Sequence, residues 1–415
     1  MSFSCIIKIS LFFSFFIIYS CQDTILSLNT KNDTNIEDDN INYEVIENLD
    51  FSFYEFTENN GIDIYTAQPS NFNFLDKDLN KIKINHFEKK NNNLNIPINV
   101  IYYDDYIYSI NSKTELVKFD IDTGKLVERF KIELNEKNNE PVSFSLYNGN
   151  FIIGFKSGKI IKVNRLGQII WMFNYVDLLN TPIKIYGDKL IVLYSENIIF
   201  LEPNNGKVIF KRNYKSNNII QSSGGKIENY YNILFFILSN SEFNSLDTLL
   251  FEEHNLKFDK VTLNTSLNNL KDQIHIYKNF LVYLDNGNIF HTFDINKNRF
   301  ILTDHIISEK SSVILFNNAL ISKNENYINF YNIKNGNLFS KINIKNILSK
   351  KSNLIKALLI NNRMHLFTNN GEIIILNQQL NIENTLNINV NNIKKIYSYQ
   401  NKIFINTLKG ITYIY

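Results

Sequence analysis

Cysteine is nearly absent from this 415-residue chain, and the two present, Cys5 and Cys21, both lie within the first 21 residues. That placement excludes a disulfide framework, a cysteine-ligated zinc site and a cysteine nucleophile from the body. Glycine and proline are scarce, at 14 and 5, which argues against reading the length, at about 150 residues per domain, as two or three domains. Neither charge sign is in excess. With 43 basic against 41 acidic residues and a net of +2, the composition offers no basic field for nucleic acid. What the chain does have is apolar side chains: 44% of residues are hydrophobic and 14% aromatic, including 33 Phe and 23 Tyr. Such a chain can bury a large core, so global disorder is excluded.

The N-terminus carries a targeting signal. Lys8 supplies a modest positive region, and residues 11–19 (LFFSFFIIY) form an apolar run. That run is shorter than the roughly 20 residues needed to cross a bilayer and suits a secretory signal. Ile18-Tyr19-Ser20-Cys21 resembles a bacterial lipobox, in which a small residue precedes an obligatory cysteine; Tyr19 departs from the usual small residue. The resemblance implies a signal peptide over 1–20, cleavage before Cys21 and lipidation of Cys21. Several acyl chains, at about 0.8 kcal/mol per buried CH₂, make a stable anchor where one would be marginal. Gln22 after the cysteine favours the outer membrane by the same resemblance. Residues 21–60 read as the lipidated cysteine and a flexible tether. The stretch 22–50 is polar, acid-leaning and without Gly or Pro, so it cannot fold alone; its r.m.s. reach is about 30 Å.

From 61 to 415 the chain repeats one phrase: an apolar stretch, a turn, a β-rich stretch, a turn of the N-G or T-G kind, then an alternating stretch. Clear copies are 106–130, 150–173 and 189–210, with later ones at 280–302, 319–342 and 363–386. Alternation of Ile, Val, Phe and Tyr between Asn/Asp/Gly turns is a strand and hairpin signal, and no window shows a comparable helical period. Anchored on the last hairpin of each copy, the repeats fall at Asn80, Gly124, Gly167, Gly206, about Lys257, Lys297, Gly336 and Leu380. A period of about 40–45 residues with four short strands per unit is the signature of a β-propeller. Eight anchors predict an all-β fold of eight blades, each a four-stranded antiparallel sheet. Seven blades would require the interval from 206 to 297 to hold one blade, for which it is too long; read as two blades, it carries an insertion near 239–247.

The two ends explain each other. After the Leu380 unit the chain offers three strands, 393–399, 402–407 and 410–415, and 80–87 (NKIKINHF) reads as a fourth; 65–75 offers a possible strand ahead of it. Pairing the two ends into one composite blade closes the ring and leaves no free sheet edge at the seam.

The phrases at 119–130 (FDIDTGKLVERF), 163–173 (VNRLGQIIWMF), 201–210 (LEPNNGKVIF) and 331–340 (YNIKNGNLFS) resemble the PQQ-like propeller repeat, roughly D-x-x-T-G-K-x-x-W. Only Trp171 keeps the tryptophan; Phe130, Phe210 and Phe339 stand near the equivalent places. Eight such repeats behind a lipobox resemble the BamB-like lipoproteins of the outer-membrane barrel-assembly machinery. The resemblance implies a non-enzymatic scaffold with no cofactor, facing the periplasm from the outer membrane. It also implies a partner, the POTRA domains of the barrel-assembly subunit BamA. Connections at 213–226 and 255–272 are candidate locations for partner contacts, without named residues. A periplasmic propeller that binds another protein or a glycan would keep the fold and change only the partner.

Sharper chemical readings are weaker. Quinoprotein dehydrogenases use the same repeat, yet that family keeps many tryptophans and an adjacent-cysteine disulfide, whereas this chain has one Trp and no Cys after Cys21. Asp120-Ile-Asp122-Thr-Gly124 looks like the start of a calcium loop, but its glycine is fifth rather than sixth, so an Asx-type turn is expected. Asp285-Asn286-Gly287-Asn288 is read likewise. Of the six histidines (86, 254, 275, 291, 305 and 365), none forms a metal motif, and Glu252-Glu253-His254 lacks the helical context. His275 and His291 could meet across one blade, although separate strand histidines are the expectation. Lys345, Lys350, Lys351 and Lys356 form a small basic cluster, expected to be a solvated loop. The run 233–238 (ILFFIL) reads as a core strand.

Overall fold

A computed structural model describes residues 49–51, 81–85, 100–111, 113–134, 140–179, 181–194, 196–214, 227–237, 243–252, 274–284, 289–306, 312–399 and 402–415. Every regular element within them is a strand, and the strands form eight antiparallel sheets. In chain order, blades 1 to 7 span 101–131, 141–173, 184–213, 227–247, 274–306, 312–343 and 354–387. Blade 8 combines Ile393–Tyr399, Lys402–Thr407 and Ile411–Ile414 with Ile82–Asn85 from the other end of the chain. Seven sheets have four strands, and blade 4 shows three among the described residues. The expected eight-bladed β-propeller is therefore the observed fold.

Within each blade the strands follow one another as a meander, A to D. The A–B and C–D turns consequently lie at one end of every blade, and the B–C turns and blade-to-blade connections at the other. Closure is by register: Ile82 pairs with Ile414, Lys83 with Tyr413, Ile84 with Thr412 and Asn85 with Ile411. The buried Ile84 joins Phe404 and Ile414 of blade 8 to the core of blades 1 and 2, so the seam is apolar as well as hydrogen-bonded.

The C–D turns carry the repeat signal. Each requires one residue in the left-handed region, which glycine enters without a Cβ penalty. Gly124, Gly167, Gly206 and Gly336 occupy that place with φ between 65° and 75°, and in blades 5 and 7 Asn298 (51°) and Leu380 (62°) do so. The amide of the left-handed residue closes the turn: Gly124 N donates to Asp120 O at 2.9 Å, Gly206 N to Glu202 O at 2.8 Å and Gly336 N to Asn332 O at 2.9 Å. After each turn strand D bulges, with the register slipping between Lys118 and Phe119, Lys162 and Val163, and Phe200 and Leu201, among others.

Blade 4 corrects the sequence reading. The anchor near Lys257 lies outside the described residues, but the shared turn occurs earlier. Phe251, with φ 56°, donates its amide to Asp247 O at 2.8 Å, in the place that glycine takes elsewhere. It stands 45 residues after Gly206, within the normal period. Residues 243–247 are not an insertion but strand C of this blade. The run at 233–238 supplies strand B, Ile233–Ile237, with Leu234, Phe235 and Phe236 fully buried.

Blades stack through these same turns. A Cβ on Gly206 would lie 2.6 Å from the Trp171 ring of the preceding blade, one on Gly167 would lie 3.0 Å from Phe130 Cβ, and one on Gly124 2.7 Å from Ile82 Cγ2. In blade 4, Phe251 instead lays its ring on Phe210 of blade 3, with centroids 4.9 Å apart and planes 17° apart. The register sorts the tryptophan equivalents. Trp171 pairs with Lys162 just past the bulge, and Phe210 occupies the same place opposite Phe200. In blade 1 that place belongs to Glu128, opposite Lys118, and Phe130 lies two residues farther along. In blade 6 it belongs to Ser340, and Phe339 falls within the bulge.

Blade 7 contains a titratable core group. His365, on strand B, is 3% exposed and donates Nδ1–H to Arg363 O at 3.2 Å. Burial, with the Arg363 charge adding to it, depresses its pKa from 6.5 to about 4, against a smaller opposing pull from the Arg363 carbonyl. The neutral ring is the folded form. Its contribution is complete above pH 6.5, falls as pH drops from 6.5 toward 4, and is gone below that, a loss on the order of 3 kcal/mol. Urea midpoints measured from pH 7 to pH 4 should fall accordingly, and His365→Leu should flatten that part of the profile.

Candidate functional site

The connection between blades 2 and 3 is held unusually firmly and yet displays apolar side chains. Strand D of blade 2, Ile169–Phe173, is the last strand of its sheet, so one of its edges has no partner strand there. Its in–out alternation continues past the strand to Leu179. Trp171, Phe173, Tyr175, Asp177 and Leu179 turn inward, while Ile170, Met172, Asn174, Val176 and Leu178 turn outward. Four of the five outward residues are apolar, and Val176 is 99% exposed.

The inward residues explain why the segment stays in place. Trp171 is buried against blade 3 and donates Nε1–H to Pro203 O at 3.0 Å. Phe173 stacks near Tyr175 at 6.2 Å, and Tyr175 meets Tyr194 at 4.4 Å. Lys211 Nζ lies 4.8 Å from the Tyr175 ring centroid, within cation–π range. Leu179 is fully buried, and its amide donates to Lys156 O at 3.2 Å.

Gly158 is the fitted part. It sits in the B–C turn of blade 2 at φ 90°, and a Cβ there would come 2.1 Å from Asp177 O and 2.5 Å from Tyr175 O. The arch therefore rests directly on the glycine backbone. Tyr194 donates its hydroxyl to Gly158 O at 2.9 Å from a buried position. Burial pushes that phenol well above the ordinary tyrosine range, with Tyr175 and Asp177 adding to the shift, so it remains a donor at any physiological pH. The result is a preorganised apolar row, Ile170, Met172, Val176 and Leu178, backed by aromatic rings. Such a row costs little ordering entropy when a partner covers it, and its chemistry is that of contact rather than of reaction.

The other singled-out residues divide as follows. Cys21, and therefore the lipidation reading, lies outside the described residues, as do Asn80, 65–75, Lys257, Asp285 to Asn288, His86, His254, and residues 215–226 and 255–272. Asp120 forms the expected Asx-type turn, its Oδ1 accepting from Thr123 N at 2.8 Å and from Thr123 Oγ1 at 2.7 Å. Those bonds, the side-chain one first, hold its carboxyl below the usual range. His275 and His291 do not meet: they pair with Val282 and Tyr283, adjacent residues of strand B, and so point to opposite faces. His291 stacks on Tyr283 at 4.9 Å, and His275 Nε2 lies 3.3 Å from Asn317 O. Lys345, Lys350 and Lys351 are exposed on the connection between blades 6 and 7, while Lys356 is half-buried in a strand. Among the described residues no group of three or more His, Cys, Asp or Glu is placed to hold a metal ion.

The apolar row escaped the sequence reading. Its only signal is the alternation of 169–179 (IIWMFNYVDLL), which reveals two faces without saying which one stays wet.

No family model matches the chain. Among curated proteins it is 28% identical over 136 residues to the outer membrane protein assembly factor BamB of Shewanella oneidensis, a match covering 29% of this chain and 34% of that protein. The alignment thus spans about a third of the relative's length. Among solved structures, BamB from Moraxella catarrhalis superposes with a TM-score of 0.57 at 16% identity, covering 81% of this chain and 98% of that one. The computationally designed Ika8 protein gives 0.57 at 12% identity, covering 77% and 95%, and Sqt1 of Saccharomyces cerevisiae gives 0.55 at 9%, covering 80% and 99%. Three different proteins on one scaffold show the fold alone, since propellers host unrelated functions. With the sequence match to BamB added, the body is a BamB-like eight-bladed β-propeller.

Proposed function

We propose that the chain is a non-enzymatic, periplasm-facing lipoprotein that assists assembly of outer-membrane β-barrel proteins through protein–protein contacts. It is anchored in the outer membrane through Cys21, and its partner is the barrel-assembly subunit BamA, through its POTRA domains. The assembly role is supported by the similarity to an outer membrane protein assembly factor, and the anchor by the lipobox-like Ile18-Tyr19-Ser20-Cys21. The observation that carries the mode of action is the rigid row of Ile170, Met172, Val176 and Leu178. Contiguous exposed apolar side chains on a folded surface mark protein–protein interaction sites.

The test is capture of the barrel-assembly subunit from detergent extracts by the lipidated protein. Val176→Asp with Leu178→Asp should reduce that capture at least tenfold while leaving the thermal midpoint unchanged, because both side chains are exposed. Full capture by the double variant would move the contact elsewhere, and absence of capture by the wild type would remove the assembly reading. Incorporation of a fatty-acid analogue, lost in Cys21→Ala, tests the anchor separately.

A further inference from the structure

Three residues ahead of the first blade, Leu49–Phe51, lie against the A–B turns of blades 5 and 6, more than 220 residues away in sequence. Asp50 is gripped from several directions. Its amide donates to Asn318 Oδ1 at 2.8 Å, and its carbonyl accepts from Asn317 Nδ2 at 2.6 Å. Its carboxylate accepts the Tyr277 hydroxyl and lies 3.7 Å from Lys278 Nζ. Leu49 is buried with Ile314, Ala319, Ile342 and Leu354, and Phe51 packs on the same cluster.

The blade 6 turn differs from its neighbours in a way that suits this occupant. In blades 4 and 5 the second A–B residue, Asn232 or Asn279, donates its side-chain amide to the aspartate that opens its own C–D turn, Asp247 or Asp294. In blade 6 Asn332 stands at that aspartate's place, and Asn318 Oδ1 accepts from the Asp50 amide. Asn317 holds φ 45°, and its carbonyl lies 3.3 Å from His275 Nε2, which ties the blade 6 turn to strand A of blade 5. Two consecutive asparagines thus hold both main-chain groups of one residue, a tyrosine and a lysine read its acid, and an apolar pocket takes the flanking residues.

We propose that the A–B turns of blades 5 and 6 form a peptide-recognition site for a short segment with one acid between apolar residues, filled in this chain by its own Leu49-Asp50-Phe51. The consequence is mechanical. Residues 49–51 are held at the A–B and C–D end of the ring, opposite the end to which the apolar row of blade 2 extends.

Hydrogen exchange on the full-length chain tests this without reference to any partner. Leu49→Ser with Asp50→Ala should speed exchange at least tenfold at residue 50 and at the turns 277–280 and 316–319, leaving the blade 1 and 2 turns at 104–105 and 148–149 unchanged. A synthetic peptide of residues 46–54 should restore protection at 277–280 and 316–319 in the double variant, and the same peptide with alanine at the aspartate should not. Should the double variant fail to fold, Tyr277→Phe removes a single hydroxyl and should still raise exchange at residue 50. Unchanged exchange at residue 50 and both turns, or equal action of the two peptides, would overturn the proposal.

Discussion

Replacing Gly158 with alanine should destabilise the propeller by about 3–5 kcal/mol, against about 1–2 kcal/mol for the same change at Gly187. Both glycines have positive φ, 90° and 54°, and both replacements carry the left-handed penalty of about 1–2 kcal/mol. They differ in what the new methyl meets. At Gly187 nothing lies within 4 Å, whereas at Gly158 the methyl would lie 2.1 Å from Asp177 O and 2.5 Å from Tyr175 O. Those are backbone atoms and cannot rotate aside, so the arch must move as a body. Its displacement would strain the Leu179 amide bond to Lys156 and the Tyr194 bond to Gly158, and overpacking of this kind adds about 1–3 kcal/mol or more. Urea unfolding of the two variants beside the wild type measures the difference. Near-equal losses would mean that the arch does not rest on Gly158 in solution. Because Val176 and Leu178 ride on the arch, the Gly158 variant should also lose partner capture, while the Gly187 variant retains it.

The sequence made the ring legible because the fold repeats its instructions. A left-handed C–D turn recurs with glycine at 124, 167, 206 and 336, so blade number follows from the spacing and composite closure from the strands left over at the two ends. The reading failed where a blade solves the same problem with different chemistry. Phe251 takes a glycine's place in blade 4 and offsets its backbone cost by stacking on Phe210; a search for glycine and asparagine turns passes over it. Phe130 and Phe339 fall away from the tryptophan's place for a related reason. A one-residue bulge after each turn shifts the face presented by strand D, and bulges leave no mark in the hydrophobic pattern.

The sites were less legible than the fold. Ile170, Met172, Val176 and Leu178 read like any buried alternating run, and only the aromatic packing of the opposite face shows that they are the wet side. Leu49-Asp50-Phe51 sits in a polar, acid-leaning stretch that cannot fold alone. Its partners at 277–278 and 317–318 lie more than 220 residues farther along the chain. Local propensity carries no information about such contacts.

Trp171→Ala should cost about 3–5 kcal/mol, the range for an emptied aromatic site in a packed core. The indole is 8% exposed, donates to Pro203 O at 3.0 Å and covers Gly206 of the next blade, while Lys162 Nζ reaches the same carbonyl at 3.0 Å. Trp171→Phe keeps a ring and loses the indole N–H, so it should cost about 1–2 kcal/mol. The sharper measurement is a double-mutant cycle with Gly206→Ala. Alone, that methyl would sit 2.6 Å from the indole at a φ of 71°, combining overpacking with left-handed strain at about 2–4 kcal/mol. In the Trp171→Ala background the overpacking vanishes and only the backbone cost of about 1–2 kcal/mol remains. The pair should therefore couple by at least 1 kcal/mol, with the double variant more stable than the sum of the singles predicts. Strict additivity would mean that the indole and the turn glycine do not touch in solution. Trp171 is also the chain's single tryptophan, so in the Gly206→Ala single variant its emission reports this junction alone. An emission transition that precedes the loss of far-ultraviolet strand signal would place the first opening of the ring between blades 2 and 3.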